Sequence, residues 1–260
     1  MAHPDRFIAL LGNEFPDDRL TFQKNVPTFH PESAEEAARL FRLANHHRQP
    51  LYITGFGNNI DPVGEAFEEL IVVRTDRLND LLTIAPEDFY VRVEAGYPLR
   101  ELNEHLEPEG LFMPHASLPY VGSVGGAVAV NLNATHQGHD LPIRRYLIET
   151  QVVTPEGEII KPGSVCFKSV SGYDVAKIFA PSWGLLGLIV SATFRVFPLS
   201  AKDEYGDLAM QAVDPTSFLA ALAETNESND ALYARKIKRK FDPRGVLPTD
   251  VVRGRYGNHD

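Results

Sequence analysis

Three glycines fall within the five residues Gly122-Ser123-Val124-Gly125-Gly126, and the run behind them is small and apolar, Ala127, Ala129 and Ala134, strewn with Asn131, Asn133, His136 and His139. Fixing glycine costs more backbone entropy than fixing any other residue, so a cluster of them marks a place where main chain comes within van der Waals distance of something else. That neighbour is either a second backbone element or a flat or charged ligand whose acceptors meet the bare amides. The stretch taken alone leaves both open.

A second glycine turn, GFGNNI at 55–60, follows the short β-prone run LYIT. Glycines at a strand end can take positive φ and present consecutive N–H groups, which is what a phosphate or diphosphate requires, and Asn58 and Asn59 add side-chain donors. It is neither a Walker loop, which needs Gly-Lys-Ser/Thr, nor the dinucleotide GxGxxG. An ordinary turn remains the alternative.

The elements around these turns are readable from local pattern. Ser33 is placed to cap the amide of Glu36, with Glu36 reaching back, and Ala34, Ala37, Ala38, Phe41 and Ala44 form one apolar stripe of a helix ending near His47. LIVVR follows as a second β-prone run. FYVRVEAG alternates as a strand, and PLRELNEHL reads as a helix with Pro98 in its first position and Gly110 as its breaker. The turn TPEG joins LIETQVV to EIIK in a hairpin over 147–161, and SWGLLGLIVSATFRVFPL reads as a glycine turn feeding a long strand. From Ala201 the chain becomes polar, with a strand at GDLAMQAV, a short helix from Asp214, and the basic helix of ALYARKIKRKF closed by Pro243 and Gly245. Strands alternate with helices early and dominate the middle, which predicts α+β rather than a regular parallel α/β sheet.

Composition narrows the function classes. A formal charge of −10 argues against nucleic acid as a partner. The single cysteine, Cys166, excludes an internal disulfide and any centre built on paired thiolates, so no metal site is expected. FIALL breaks off at Gly12 and Asn13, and no apolar run approaches the roughly twenty residues of a membrane helix, so the expectation is a soluble, cytoplasmic protein.

In chain order, GFGNNI, PLRELNEHLEPEGLFMPHASLP, VGSVGGAVAVN, LIETQVVTPEGEII, KSVSGYDVAKIFAPSWGLLGLI and FDPRGVLPTD resemble the flavin-binding domain of the p-cresol methylhydroxylase and vanillyl-alcohol oxidase superfamily. KSVSGYDVAKIF is most similar to the flavin subunit of bacterial glycolate oxidase. The resemblance implies a two-subdomain α+β domain binding FAD in extended form, over 28–200, with an N-terminal extension at 1–27 and a truncated C-terminal segment at 201–260. It implies that Gly55, Phe56, Gly57, Asn58, Asn59 and Ile60 hold the diphosphate from one side. Ser117, Leu118, Gly122, Ser123, Gly125 and Gly126 then wrap it and the ribityl chain from the other. Ala129, Leu132 and Asn133 lie along the isoalloxazine, and Ile189 meets the adenine end with its backbone.

Departures from the family pattern carry expectations of their own. Covalent members carry a histidine in the first loop, and doubly attached ones add a cysteine near the second. Asn58, Asn59 and Pro119-Tyr120-Val121 offer neither, so the resemblance implies non-covalent FAD. The usual SxGTLG is written Ser182-Trp183-Gly184-Leu185-Leu186-Gly187, without its threonine. Only about sixty residues follow Pro198, too few for the family's substrate domain, so no catalytic residue is assigned. His115, His136, His139, Arg144, Arg145 and Lys168 are the remaining candidates for a base or carboxylate clamp. Trp183 and Tyr173 read as core plugs or ring-stacking residues, Cys166 as an inert strand residue, and ARKIKRK as a docking helix or a solvated face. The expected function is FAD-dependent oxidation of a small 2-hydroxy acid such as glycolate or lactate, with electrons passed to a partner subunit. The alternatives are a non-catalytic flavin relay or scaffold and a sugar-alcohol or lactone oxidase.

Overall fold

A computed structural model describes residues 4–164, 175–213, 221–222 and 228–250. Two main sheets, of four and five strands, organise the described residues, with a two-stranded and a three-stranded sheet beside them. The first subdomain holds α1 (Pro4–Glu14), β1 (Leu20–Gln23), β2 (Val26–Phe29), α2 (Ala34–His47), β3 (Leu51–Thr54), α3 (Glu65–Glu68) and β4 (Ile71–Arg74). Its sheet runs β1-β2-β4-β3, antiparallel at β1/β2 and parallel at β2/β4 and β4/β3. Parallel strands need a crossover, and α2 carries the chain from β2 to β3, leaving room for β4 between them.

That helix forms as its sequence dictates. Ser33 Oγ accepts from the Glu36 amide at 3.1 Å, Ala34, Ala37, Ala38, Phe41 and Ala44 are buried, and Arg48 ends the helix in the left-handed region at φ 54°. Glu36 reaches one residue further back than a capping box requires, to the Glu32 amide, and also accepts from Arg19. Phe7 and Leu11 of α1 and the following Phe15 pack into the same core as α2 and Phe29.

The second subdomain follows with β5 (Leu81–Ala85), β6 (Tyr90–Glu94), α4 (Leu102–Leu106), β7 (Leu111–Phe112), α5 (Val124–Ala129), β8 (Asn133–His136), β9 (His139–Pro142), β10 (Leu147–Val153), β11 (Ile159–Ile160), β12 (Leu188–Arg195) and β13 (Phe197–Pro198). Its main sheet, β11-β10-β12-β6-β5, is antiparallel throughout, and β10/β11 is the expected hairpin. Two segments are shorter than their pattern predicts. PLRELNEHL is a 3-10 turn, Leu99–Glu101, before the five residues of α4, with Pro98 flanking it rather than inside, and a further 3-10 turn over Glu107–Glu109 carries Pro108. The proline at 108 works against α-helix at the residue before it and withdraws a donor. The strand expected in GDLAMQAV contracts to β14 (Ala209–Met210), paired with β8. The helix expected from Asp214 begins outside the described residues. The basic helix is α6 (Asn229–Phe241), capped by Ser228 Oγ on the Ala231 amide.

The subdomains interlock through α2 and the hairpin. Val153, Leu188 and Val190 join the core of the first sheet, and the TPEG turn seats on α2, where Arg42 donates to the Gly157 carbonyl at 2.8 Å and Asn45 to the Pro155 carbonyl at 3.1 Å. Gly157 sits at φ 80° with Ala38 O 2.5 Å from where a Cβ would stand, so this turn demands glycine twice over. After α6 the chain returns to the first subdomain, where Val246 and Leu247 are buried and the Val246 carbonyl accepts from the Leu51 amide at the start of β3.

Candidate functional site

The two glycine turns meet. GFGNNI leaves β3 where Arg74, next door on β4, donates to the Phe56 carbonyl at 3.1 Å and holds the loop from behind. VGSVGG opens α5, capped by Ser123 Oγ on the Gly126 amide at 3.2 Å. A Cβ on Gly55 would stand 2.5 Å from Ser123 Oγ, and Asn58 Nδ2 donates to the Val121 carbonyl at 3.0 Å. The glycines of the second turn answer first to the protein's own packing. A Cβ on Gly125 would lie 2.7 Å from that of Ala95, whose carbonyl accepts the Gly125 amide at 2.7 Å, while the ring of Tyr120 covers Gly122. The packing alternative left open by the sequence therefore operates here: glycine admits close backbone packing, and that packing brings two turns to one cleft.

The cleft opens to solvent, and the non-atom space within it, its open mouth included, comes to about 720 Å³. Gly55, Phe56, Gly57, Asn58, Asn59, Ile60, Gly122, Ser123, Gly125, Gly126, Ala129 and Ile189 line it. The other four candidates lie elsewhere. Ser117 is exposed and accepts from Asn103, Leu118 and Leu132 are buried in the core of the second subdomain, and Asn133 donates to Gln211 Oε1 at 2.7 Å. The lining also includes Tyr52, Thr75, Tyr120 and Trp183, which come from four separate segments and carry no local signal of a shared site.

Backbone donors make the cleft suitable for an anion. Among the described residues, none accepts a hydrogen bond from the amides of Gly55, Phe56, Gly57, Asn58, Ile60, Gly122 or Ser123. Amides kept from protein partners in a partly enclosed loop are a standing invitation to an acceptor-rich ligand, and a diphosphate supplies one. The described lining contains no Asp, Glu, His, Lys or Arg. The residues present thus fit a dinucleotide held by neutral donors.

The proposed base and clamp residues are not in this lining. His136 pairs with Asp207 at 2.6 Å and stacks on Tyr205, while His139, Arg144 and Arg145 are exposed. Lys168, Cys166 and Tyr173 lie outside the described residues. His115 is fully buried, with Nε2 2.8 Å from the Leu141 carbonyl, and burial pushes its pKa down to about 4. It is a neutral core histidine. Because its folded pKa lies below the unfolded value near 6.5, the unfolded chain binds the extra proton between the two. Stability is therefore complete above about pH 6.5 and declines as pH falls toward 4, by about 2 kcal/mol at pH 5. Thermal unfolding at pH 7.5 and 5 checks this: His115→Phe should lose less stability between the two than the wild type, and an equal loss would refute it.

The FAD binding domain family model matches residues 27–163. A D-lactate dehydrogenase of Anaerostipes hadrus is 29% identical over 166 residues, covering 64% of this chain and 35% of that protein. The glycolate oxidase subunit GlcD of Bacillus subtilis is 28% identical over 169 residues, with coverages of 65% and 36%. A mitochondrial D-lactate dehydrogenase [cytochrome] of Arabidopsis thaliana is 30% identical over 174 residues, with coverages of 66% and 30%. The chain thus spans about a third of the length of these relatives. A solved alkyldihydroxyacetonephosphate synthase superposes with a TM-score of 0.60 at 22% identity, over 76% of this chain and 41% of that one, a likeness of fold. Among the described residues no helix is long and apolar enough to cross a membrane. With a family match across more than half of its length, and with two glycine turns converging on a donor-lined cleft, the chain belongs to the FAD-binding domain family of the p-cresol methylhydroxylase type, and FAD is its cofactor.

Proposed function

We propose that this chain holds FAD non-covalently in the cleft between its two glycine turns and serves the oxidation of a small 2-hydroxy acid, such as glycolate or lactate, with electrons passing to a partner protein. The observation that carries the reading is the set of amides at Gly55, Phe56, Gly57, Asn58, Gly122 and Ser123 that no described residue claims, gathered on one cleft by the close approach of Gly55 to Ser123. Bound FAD supplies a two-electron acceptor for the hydride of the carbon bearing the substrate's hydroxyl. The chain's own part is binding and orientation. The two turns would hold the diphosphate, Ala129 would leave room along the isoalloxazine, and Ile189 would meet the adenine end with its backbone. Non-covalent attachment is supported by the described lining, which contains no histidine or cysteine to form a flavin bond. The names of the D-lactate dehydrogenases and the glycolate oxidase subunit support the substrate class.

One observation favours a second reading, a flavin relay or scaffold without chemistry of its own. Hydroxy-acid oxidation needs a base for the hydroxyl proton and a cation for the carboxylate, and the described lining has neither. In the leading reading those groups come from a second subunit or from residues outside the described set. Anaerobic addition of glycolate or lactate to the purified yellow protein, alone and with its co-purifying partner, separates the two. Bleaching of the flavin band is the expected result. A yellow protein that neither acid bleaches in either preparation supports the relay, and a colourless protein that takes up no FAD sinks both.

A further inference from the structure

Tyr120 stands in the cleft with its polar atom unspent. The residue is only 8% exposed, yet no described residue exchanges a hydrogen bond with its hydroxyl. The ring is buried while the hydroxyl oxygen is not fully so, and it presents its polar tip to the open cleft, where a ligand can meet it. The ring folds back along its own chain onto Gly122: Cζ and the hydroxyl oxygen both lie 2.4 Å from where a Cβ on that residue would stand. The same oxygen is 3.1 Å from the corresponding position on Gly126, so it sits over the opening turn of α5.

Its surroundings determine which partner it can take. The nearby amides of Gly122 and Ser123 donate to no described residue, and Ser123 Oγ is already engaged in accepting the Gly126 amide. A spot furnished with donors selects an acceptor, and phosphate oxygens accept without donating. Burial raises the pKa of Tyr120 to about 12, so the phenol keeps the proton it would give.

We propose that the Tyr120 hydroxyl donates a hydrogen bond to the diphosphate of the bound dinucleotide, and that position 122 is glycine in order to seat the tyrosine ring there. The proposal rests on the placement of FAD in this cleft and assigns a side-chain donor to a site otherwise built from main chain. It also accounts for a glycine whose missing Cβ is replaced by protein rather than by ligand.

Calorimetric titration of flavin-free wild type and Tyr120→Phe with FAD, ADP and riboflavin tests it. The substitution removes one oxygen and keeps the ring, and a melting temperature of the flavin-free variant matching the wild type excludes a folding effect. FAD and ADP should each bind about tenfold more weakly to the variant, the loss of one charge-assisted hydrogen bond, while riboflavin, which has no phosphate, is unaffected. Gly122→Ala should weaken FAD by a similar factor by pushing the ring aside, with little further loss when combined with Tyr120→Phe. Unchanged FAD and ADP affinity in Tyr120→Phe overturns the proposal, as does a loss that riboflavin shares. Full additivity of the two substitutions overturns the seating of the ring. Failure of the wild type to bind FAD would instead refute the reading beneath it.

Discussion

Asp242→Ala is expected to destabilise the protein by about 3–5 kcal/mol, the usual consequence of breaking a buried ion pair from one side. The Asp242 side chain is fully buried and accepts from the Val246 amide at 2.8 Å, the Leu247 amide at 2.9 Å and Lys238 Nζ at 2.5 Å. Lys238 also donates to the carbonyls of Leu185 at 2.9 Å and Leu247 at 2.7 Å, and burial pulls its pKa below the ordinary lysine value. Alanine at 242 would strand an ammonium in the interior and free two buried amides together. One inward-facing residue of the basic helix is thus the clasp between α6, the returning C-terminal segment and the SWGLLG turn, whose Trp183, Gly184 and Gly187 line the cleft. For a domain of this size the melting temperature should fall by about 10 °C, and FAD affinity should fall with it. Replacing Lys238 and Asp242 together by apolar residues should recover part of the loss. A melting temperature within about 2 °C of the wild type in Asp242→Ala would show that the clasp holds nothing.

Gly96→Ala carries the second large effect, through sterics alone. Gly96 follows β6, and a Cβ there would lie 1.9 Å from the Thr75 carbonyl oxygen, 2.7 Å from its carbon and 2.8 Å from the Leu78 carbonyl oxygen. All three atoms are main chain, so no side-chain rotation relieves the overlap. The Gly96 amide also donates to Leu78 O at 2.6 Å, across the junction between the two sheets. Spreading that junction should cost about 3 kcal/mol, at the upper end of ordinary overpacking. Because Thr75 lines the cleft, FAD affinity should drop at least tenfold as well. Urea titration followed by fluorescence should show a lower midpoint at unchanged slope, the sign of lost stability rather than a changed denatured state. A midpoint equal to the wild type would mean that the strand end moves freely from the Thr75 turn, and that the cleft walls are not coupled there.

Legibility in the sequence followed the range of each interaction. α2 was readable because its cap, stripe and stop all lie within fifteen residues of one another, and the β10/β11 hairpin because a proline–glycine turn sets its register locally. PLRELNEHL misled because leucine spacing suits a helix, while Pro108 limits how far one can run. The two glycine turns announced a close approach without naming the neighbour. Ala95, Tyr120 and Ser123 turned out to be the atoms pressed against them, from positions that pattern does not connect. Tyr120 is the clearest case: a tyrosine two residues before a glycine reads as nothing, until the ring is seen folded over Gly122 with a hydroxyl that no described residue engages. Lys238 is the converse, since a run of basic residues reads as a solvated face, and only packing shows one of them turned inward onto Asp242.

The sequence by itself determined the class of fold and the two short stretches where backbone would be laid bare, because glycine spacing, caps and apolar periods act over a few residues, and the resemblance of its motifs in order pointed to the family. Only the tertiary structure decided that the turns face one another, which of their amides no described residue takes, and that the described lining carries no charge. Those properties depend on chain segments tens of residues apart arriving at the same place, and no local period records that.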